Sequence, residues 1–364
     1  MNKILVSLLS EQTMPNVLFI KEIGEFDKYI FISTEQMKKK KKLDMIIKST
    51  GIDQSKIIPE IIVDENNSDD IADKLKDMFE GGEEIVVNLT GGTKMMSIGA
   101  YNFFKERGAK IYYIPIGNNY IQIHPYLKNR SFSIKYRANV EEYLSAYGIE
   151  IKTKSEKRNN LVFEQDKTLK IFNKFINNKI DSNILELLRK KRKDKKVILD
   201  ENLKQFLNNL DFSELTELQQ KQTEYFTGGW FEEYVYFLVK KHKNIKDTYI
   251  NLNIQIEKNK TPNELDVVFM HENSLYVIEC KTALQDDDRS LLNETLYKLS
   301  ALSKNFGLKV KGFLFTLDNK LRDKDGNIEE KYQKRAALLD LIIVDRQILI
   351  NKESLNEIFW NKIK

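Results

Sequence analysis

Apolar and polar positions change period along the chain. From residue 3 to about 115, short apolar runs near 3–9, 28–33, 60–64, 84–89 and 110–115 alternate with segments near 15–23, 35–49, 68–80 and 93–107 whose apolar residues recur at helical spacing. Continuous apolar strands separated by amphipathic helices argue for a parallel sheet covered on both faces. Polar-ended strands near 119–126 and 131–137 read as a hairpin appended to it. The segment from Ile151 to Asn160, with Lys152, Lys154, Glu156, Lys157 and Arg158, reads as a linker. Helical segments near 165–178, 182–193 and 200–209 follow. The remainder runs helix 229–243, strand 248–257, a hairpin, helix 287–305, strand 309–316, helix 329–339 and strand 341–344. The expected organisation is α/β, with a domain at 1–145, a linker and helical segment at 146–220, and a second domain at 221–364.

The hairpin departs from the apolar rule. Its first strand, Asn263-Glu264-Leu265-Asp266-Val267-Val268-Phe269-Met270, is followed after a short polar turn by Leu275-Tyr276-Val277-Ile278-Glu279-Cys280-Lys281. Side chains alternate along a strand, so Glu264 and Asp266 share one face and Glu279 and Lys281 share a face of the next strand. Leu265, Val267, Phe269, Ile278 and Cys280 take the opposite face. Isolated charges are very costly in so apolar a setting unless they are paired or hold a metal. Solvated ion pairs on an exposed edge would explain any one of these residues, but the four together read as metal-site chemistry. Oxygen ligands select Mg or Mn, which keep open positions for water and a substrate phosphate. Such an ion activates water and stabilises phosphate charge, and Lys281 stands two residues from a ligand to orient or help deprotonate that water. The implied reaction is phosphodiester hydrolysis.

A second informative segment lies in the first half. Glu84 to Leu89 is a buried-strand run, Thr90-Gly91-Gly92-Thr93-Lys94 is a turn, and Met95 to Arg107 has helical spacing. A strand, a glycine turn and a helix start direct free backbone N–H groups and the helix dipole outward together, which suits an anion. Neither Gly-x-x-x-x-Gly-Lys nor Gly-x-Gly-x-x-Gly is present. The first strand ends in a comparable loop, Ser10 to Asn16, with Pro15 where helix entry favours it. In a parallel α/β sheet such loops lie at the carboxyl ends of strands, where ligands bind.

These residues carry two family resemblances. Asp266 with Glu279-Cys280-Lys281 resembles the PD-(D/E)xK nuclease core, in which an acid of one strand and the acid and lysine of the next form a metal site. Asn263 and Glu264 stand where the family's name has its proline. That family often adds an acid from the preceding helix, and Glu232 and Glu233 of Gly228-Gly229-Trp230-Phe231-Glu232-Glu233-Tyr234 stand there, with Glu232 favoured. First-turn acids also complement a helix dipole, and whether Glu232, Glu233 or Glu264 completes the site stays open. The pairing of Leu8-Leu9-Ser10-Glu11-Gln12 with Asn88-Leu89-Thr90-Gly91-Gly92-Thr93-Lys94 resembles CARF domains, Rossmann-like sensors of cyclic oligoadenylate, over about residues 1–145. Together they resemble the type III CRISPR ancillary nucleases, in which a Rossmann-like CARF domain precedes a restriction-endonuclease-like domain.

That resemblance implies catalytic Asp266, Glu279, Lys281 and Glu232, with Asp266, Glu279 and Glu232 as ligands of Mn or Mg. It implies Ser10, Gln12, Thr90, Gly92, Thr93 and Lys94 as ligand contacts, cyclic tetra-adenylate as activator, and single-stranded DNA and/or RNA as substrate. Because the activator is roughly two-fold symmetric, it implies a homodimer. Two alternatives remain: a sensor that binds nucleic acid without cutting it, and an enzyme that degrades the cyclic oligonucleotide itself. DNA against RNA, strandedness, base preference and ring size are not fixed by the sequence.

Composition alters this picture only at the margins. One cysteine in 364 residues excludes a disulfide framework. No apolar stretch approaches 18 residues, so neither a membrane helix nor a signal peptide is expected, and the chain reads as cytoplasmic. His124, His242 and His271 are scattered without metal spacing, which gives zinc chemistry little support. A net charge of +5 is mild for a nucleic-acid protein. Lysines 38–42 read as a solvated helix face, whereas the cluster Arg189 to Lys196 precedes the nuclease core and is the better candidate for a substrate groove.

Overall fold

A computed structural model of the chain describes residues 2–153, 160–177, 182–245, 247–256, 262–283, 289–318 and 320–363. They form two compact units, the first made of residues 2–150 with short returns at 256 and 306–308, the second of nearly all the rest.

The first unit is built on strands β1 (Lys3–Leu8), β2 (Lys28–Ser33), β3 (Ile61–Ile62), β4 (Glu84–Asn88), β5 (Lys110–Tyr113), β6 (Asn119–His124) and β7 (Ser131–Ser133). Its helices are α1 (Met14–Ile23), α2 (Glu35–Lys39), α3 (Lys42–Thr50), α4 (Asp70–Leu75), α5 (Lys94–Glu106) and α6 (Val140–Ala146). The sheet order is β3-β2-β1-β4-β5-β6-β7, with the first five strands parallel and β6 and β7 antiparallel. The expected parallel sheet with an appended hairpin is therefore present. Because β1 pairs with both β2 and β4, strand order reverses between β1 and β4, and the loops after those two strands flank the switch point where ligands enter such sheets. Five of the six β1 positions and five of the six β2 positions are buried, as central strands covered on both faces require. Helix α4 is much shorter than the expected 68–80 segment: it ends at Leu75, just before Lys76, Asp77 and the Glu80-Gly81-Gly82 turn.

From residue 151 on, the second unit carries a six-stranded sheet, β15-β14-β13-β12-β11-β8, made of β8 (Glu150–Ile151, beginning at the unit boundary), β11 (Asp247–Gln255), β12 (Asn263–His271), β13 (Ser274–Lys281), β14 (Val310–Thr316) and β15 (Leu341–Val344). A separate ribbon pairs β9 (Lys196–Ile198) with β10 (Glu217–Gln219). Its helices include α7 (Gln165–Ile176), α8 (Ser182–Lys190), α9 (Glu201–Asn209), α10 (Gln220–Glu224), α11 (Trp230–Lys240), α12 (Arg289–Asn305) and α13 (Glu330–Leu338). Strands β11, β12 and β13 are antiparallel, and β13, β14 and β15 parallel.

The expected linker and helical segment at 146–220 divides at residue 150, and Ile171, Phe172, Leu188, Leu203 and Leu207 of α7, α8 and α9 join the core around Phe231, Val267 and Phe313. Part of the expected linker, 154–159, lies outside the described residues, as does 284–288 at the start of the expected 287–305 helix. The acidic hairpin is not an edge. It occupies the centre of the sheet, and β12 is buried without a break from Leu265 to Met270.

Candidate functional site

In the first unit, the loops after β1 and β4 are held side by side from below. Buried Asn16, at the start of α1, accepts from Ser7 Oγ at 2.5 Å and from Asn88 Nδ2 at 2.9 Å, and donates to Leu8 O at 3.1 Å. One amide thus ties β1, α1 and β4 together beneath the switch point. Above it, the Gly92 amide donates to Leu9 O at 3.1 Å, and a Cβ on Gly91 would stand 2.1 Å from Leu8 O, so only glycine permits this approach.

The six candidate ligand contacts differ in what remains available to a ligand. Thr90 Oγ1 donates to Asn88 Oδ1 at 2.6 Å and accepts from Ile114 N at 2.9 Å, closing the loop. Thr93 Oγ1 caps α5 by accepting from Met96 N at 3.3 Å and donates to Glu65 O at 2.7 Å. Each hydroxyl thus spends its proton within the fold and keeps one acceptor lone pair. Gly92 adopts φ +74°, and Lys94 is exposed at the first position of α5. Ser10 Oγ donates to Gln12 O at 3.2 Å, while Gln12 Oε1 accepts from Tyr147 Oη at 3.0 Å.

Of the lysine run at 38–42, Lys38 and Lys39 lie exposed on α2 as expected of a solvated helix face, but the later members do not all follow. Lys41 has φ 54° and separates α2 from α3, and buried Lys42 places Nζ 3.2 Å from Glu11 Oε2 and 3.2 Å from Glu11 O. Lys40 also pairs with Glu11. Two cations therefore sit on the loop that carries Ser10 and Gln12. The contact spans some thirty residues and left no local trace in the sequence.

In the second unit, β12, β13 and α11 bring Asp266, Glu279 and Glu232 together. Asp266 and Glu279 are 8% and 5% exposed. Burial pushes the Asp266 carboxyl well above the ordinary carboxylate range, and the neighbouring charges of Glu279 and Glu232 push it further. Glu232 is raised by burial and then by Glu264, against the opposite pull of Lys281 and Arg192. Lys281 Nζ lies 2.8 Å from Glu279 Oε1, and Lys298 of α12 lies 3.4 Å from the same oxygen. Burial alone would lower Lys281, but the Asp266 and Glu279 carboxylates outweigh it and hold the ammonium at about 12. The buried Cys280 thiol is held well above its usual value by burial, and then by the acids beside it.

The two neighbouring helix acids diverge. Glu233 Oε1 accepts from Val162 N at 2.5 Å, and Oε2 lies 3.4 Å from Thr168 Oγ1, so Glu233 fastens the segment before α7. Glu232 instead faces the acids of the hairpin. An irregular π-type turn, Tyr225–Gly229, interrupts the helix just before them. Glu264 is exposed and pairs in register with Asn253.

Asp266, Glu279 and Glu232 are the residues that could hold a cation, and their all-carboxylate chemistry fits Mg or Mn. Among the described residues, no three acidic, histidine or cysteine side chains converge as tightly as a bound ion requires. In this arrangement Asp266 turns to the Cys280 amide and Glu279 to two ammonium groups. Sequence reading missed Lys298, whose position on a helical face bears no motif.

Comparison with known proteins follows the same division. Residues 4–143 match a family described as the Card1 CARF domain, and residues 219–347 match a Card1-like endonuclease domain. No curated protein matches the chain by sequence. Among solved structures, Can2 from Sulfobacillus thermosulfidooxidans, in complex with cyclic tetra-adenylate, aligns with TM-score 0.72 and 22% identity over 98% of this chain and 99% of that one. Protein VC1899 from Vibrio cholerae aligns with TM-score 0.76 and 19% identity over 99% and 98%. A type III CRISPR defence DNA nuclease activated by cyclic oligoadenylate aligns with TM-score 0.51 and 16% identity, covering 93% of this chain and 52% of that one. At these identities the likeness is one of fold.

Proposed function

We propose that this chain, built of a Card1-type CARF domain and a Card1-like endonuclease domain, is a nuclease of type III CRISPR defence that a cyclic oligoadenylate switches on. The activator is cyclic tetra-adenylate, and the substrate is single-stranded DNA and/or RNA. The observation that carries this reading is the burial of Asp266 and Glu279 beside Glu232, with the half-buried ammonium of Lys281 and the exposed ammonium of Lys298 both on Glu279. Mutually repelling carboxylates in a protein interior are costly to hold together without a cation.

Asp266, Glu279 and Glu232 would hold Mg or Mn. When bound, the ion supplies an activated water and charge stabilisation at the phosphate. The Cys280 amide fixes one oxygen of Asp266 and leaves the other to serve as a ligand. Lys281, anchored on Glu279, orients the attacking water and offsets charge on the phosphate. Buried Phe231, Val267 and Ile278 support the strands and helix that carry these groups.

The activator is held between the loops after β1 and β4, by Lys94, the backbone around Gly92, Ser10 and Gln12. The committed hydroxyls of Thr90 and Thr93 shape the loop instead of donating freely. Met95 and Ile98, 39% and 51% exposed beside Lys94 on α5, give an apolar surface suited to a second copy of the chain around a two-fold symmetric ligand.

The test is a panel of cyclic oligoadenylates crossed with labelled single- and double-stranded DNA and RNA, in Mg and in Mn. Cleavage of unpaired strands with cyclic tetra-adenylate supports the assignment. Cleavage confined to the cyclic oligonucleotide would replace it with a ring-degrading activity.

A further inference from the structure

We infer that the cleft beside Glu232 and Glu264 seats the nucleotide flanking the scissile phosphate, with Arg192 and Lys221 as its backbone-phosphate contacts and Asn251 and Asn253 as contacts to its base or sugar. The inference rests on the nuclease reading above. It goes beyond that reading in naming how an acidic site retains an anionic strand.

A cluster of carboxylates repels a phosphodiester backbone, so cations outside the metal site must bring the strand to it. The cleft has a volume of about 430 Å³, and Glu232 and Glu264 form part of its wall. Arg192 enters it from the turn after α8, and Lys221 from α10. Both residues are exposed, and neither side chain makes a hydrogen bond or ion pair among the described residues. Arg192 thus lines the same cleft as Glu232 and Glu264. These are exposed cations next to a carboxylate site, an arrangement suited to phosphate binding.

Other residues of the lining supply a different chemistry. Asn251 sits in the middle of β11 with φ 51°, between the Ile250–Val267 and Leu252–Leu265 pairs, which puts it across the register from Asp266. A left-handed residue inside a strand breaks the ladder locally and turns its side chain away from the regular rows. Its amide and that of Asn253, both lining the cleft, offer donors and acceptors together, as base edges and sugar hydroxyls require. The volume lies in the range of small-ligand pockets and suits one nucleotide unit, not a duplex.

Of the basic cluster at 189–196, Arg192 is the member that lines this cleft.

The experiment uses the full-length protein with cyclic tetra-adenylate, Mn and a fluorescent single-stranded oligonucleotide. The double variant Arg192→Ala with Lys221→Ala is compared with wild type and with Arg192→Lys. The double variant is expected to raise KM at least tenfold more than it lowers kcat, and to flatten the salt dependence of binding by about 0.7 in log–log slope per lost contact. Arg192→Lys should recover much of the KM. Anisotropy of the same oligonucleotide on a Glu279→Ala background reads the cleft without the chemistry, and the two alanines should weaken binding there as well. Unchanged KM, salt slope and anisotropy in a double variant with wild-type Tm would overturn the proposal. Wild type that binds the oligonucleotide through these residues yet never cuts it would instead overturn the nuclease reading while supporting the cleft.

Discussion

The backbone amide of Cys280 donates to Asp266 Oδ2 at 2.7 Å, so the strand that supplies Glu279 and Lys281 also fixes the acid of its neighbour. That bond occupies one oxygen of Asp266.

Asp266→Asn keeps a carbonyl oxygen for that amide and removes one of the mutually repelling charges. It is expected to leave Tm unchanged or slightly higher while cleavage falls on the order of a thousandfold, because a charged ligand is lost. Glu279→Ala should lose as much activity but also stability, about 1–2 kcal/mol, since it strips Lys281 and Lys298 of their shared acceptor. Single-turnover cleavage rates and thermal melts on both variants check this. Wild-type cleavage by either variant would remove it from the site.

Glu232 and Glu233 are adjacent on α11 and should separate cleanly. Glu233→Ala abandons the Val162 amide and is expected to cost about 1–3 kcal/mol of stability with cleavage of the folded fraction preserved. Glu232→Ala should do the reverse, with little change in Tm and a large loss of rate. Denaturant titration alongside activity distinguishes the two roles.

Gly91→Ala forces a Cβ to within 2.1 Å of the Leu8 carbonyl oxygen unless the two loops part. A cost of about 1–3 kcal/mol is expected from that displacement. Activator affinity, measured by calorimetry, should drop sharply, whereas nucleic-acid binding by the other unit should not.

Lys94→Ala removes an exposed cation at the start of α5 without touching a cap. About tenfold weaker binding of cyclic tetra-adenylate is expected, the equivalent of one charge-assisted hydrogen bond. Thr93→Val weakens activation by a different route, since it loses both the α5 cap and the bond to Glu65 O. Its melt should show about 1 kcal/mol of lost stability that the Lys94→Ala melt does not.

The sequence carried the hairpin acids because alternation and burial are local properties: Asp266, Glu279 and Lys281 stand out against a run such as Val267-Val268-Phe269. It also carried the alternating strands and helices of the first unit, whose apolar runs are long and regular. It did not carry the sheet neighbours. That β12 and β13 lie at the centre, paired to β11 and β14, follows from pairings between distant segments with no local signature. The same limit hid the pairing of Glu11 with Lys40 and Lys42, and of Glu279 with Lys298. That the hydroxyls of Thr90 and Thr93 also bond Asn88, Ile114, Met96 and Glu65 follows from the fold and not from their residue type.

The most direct test of the central claim is the rate at which the purified wild-type protein cuts a labelled single-stranded oligonucleotide in Mn, with and without cyclic tetra-adenylate. A ligand that binds the active arrangement more tightly than the idle one raises that rate, and chelation of the metal abolishes it. The account predicts cleavage only when both are present. Equal cleavage without the cyclic nucleotide, or undiminished cleavage in chelator, would contradict it.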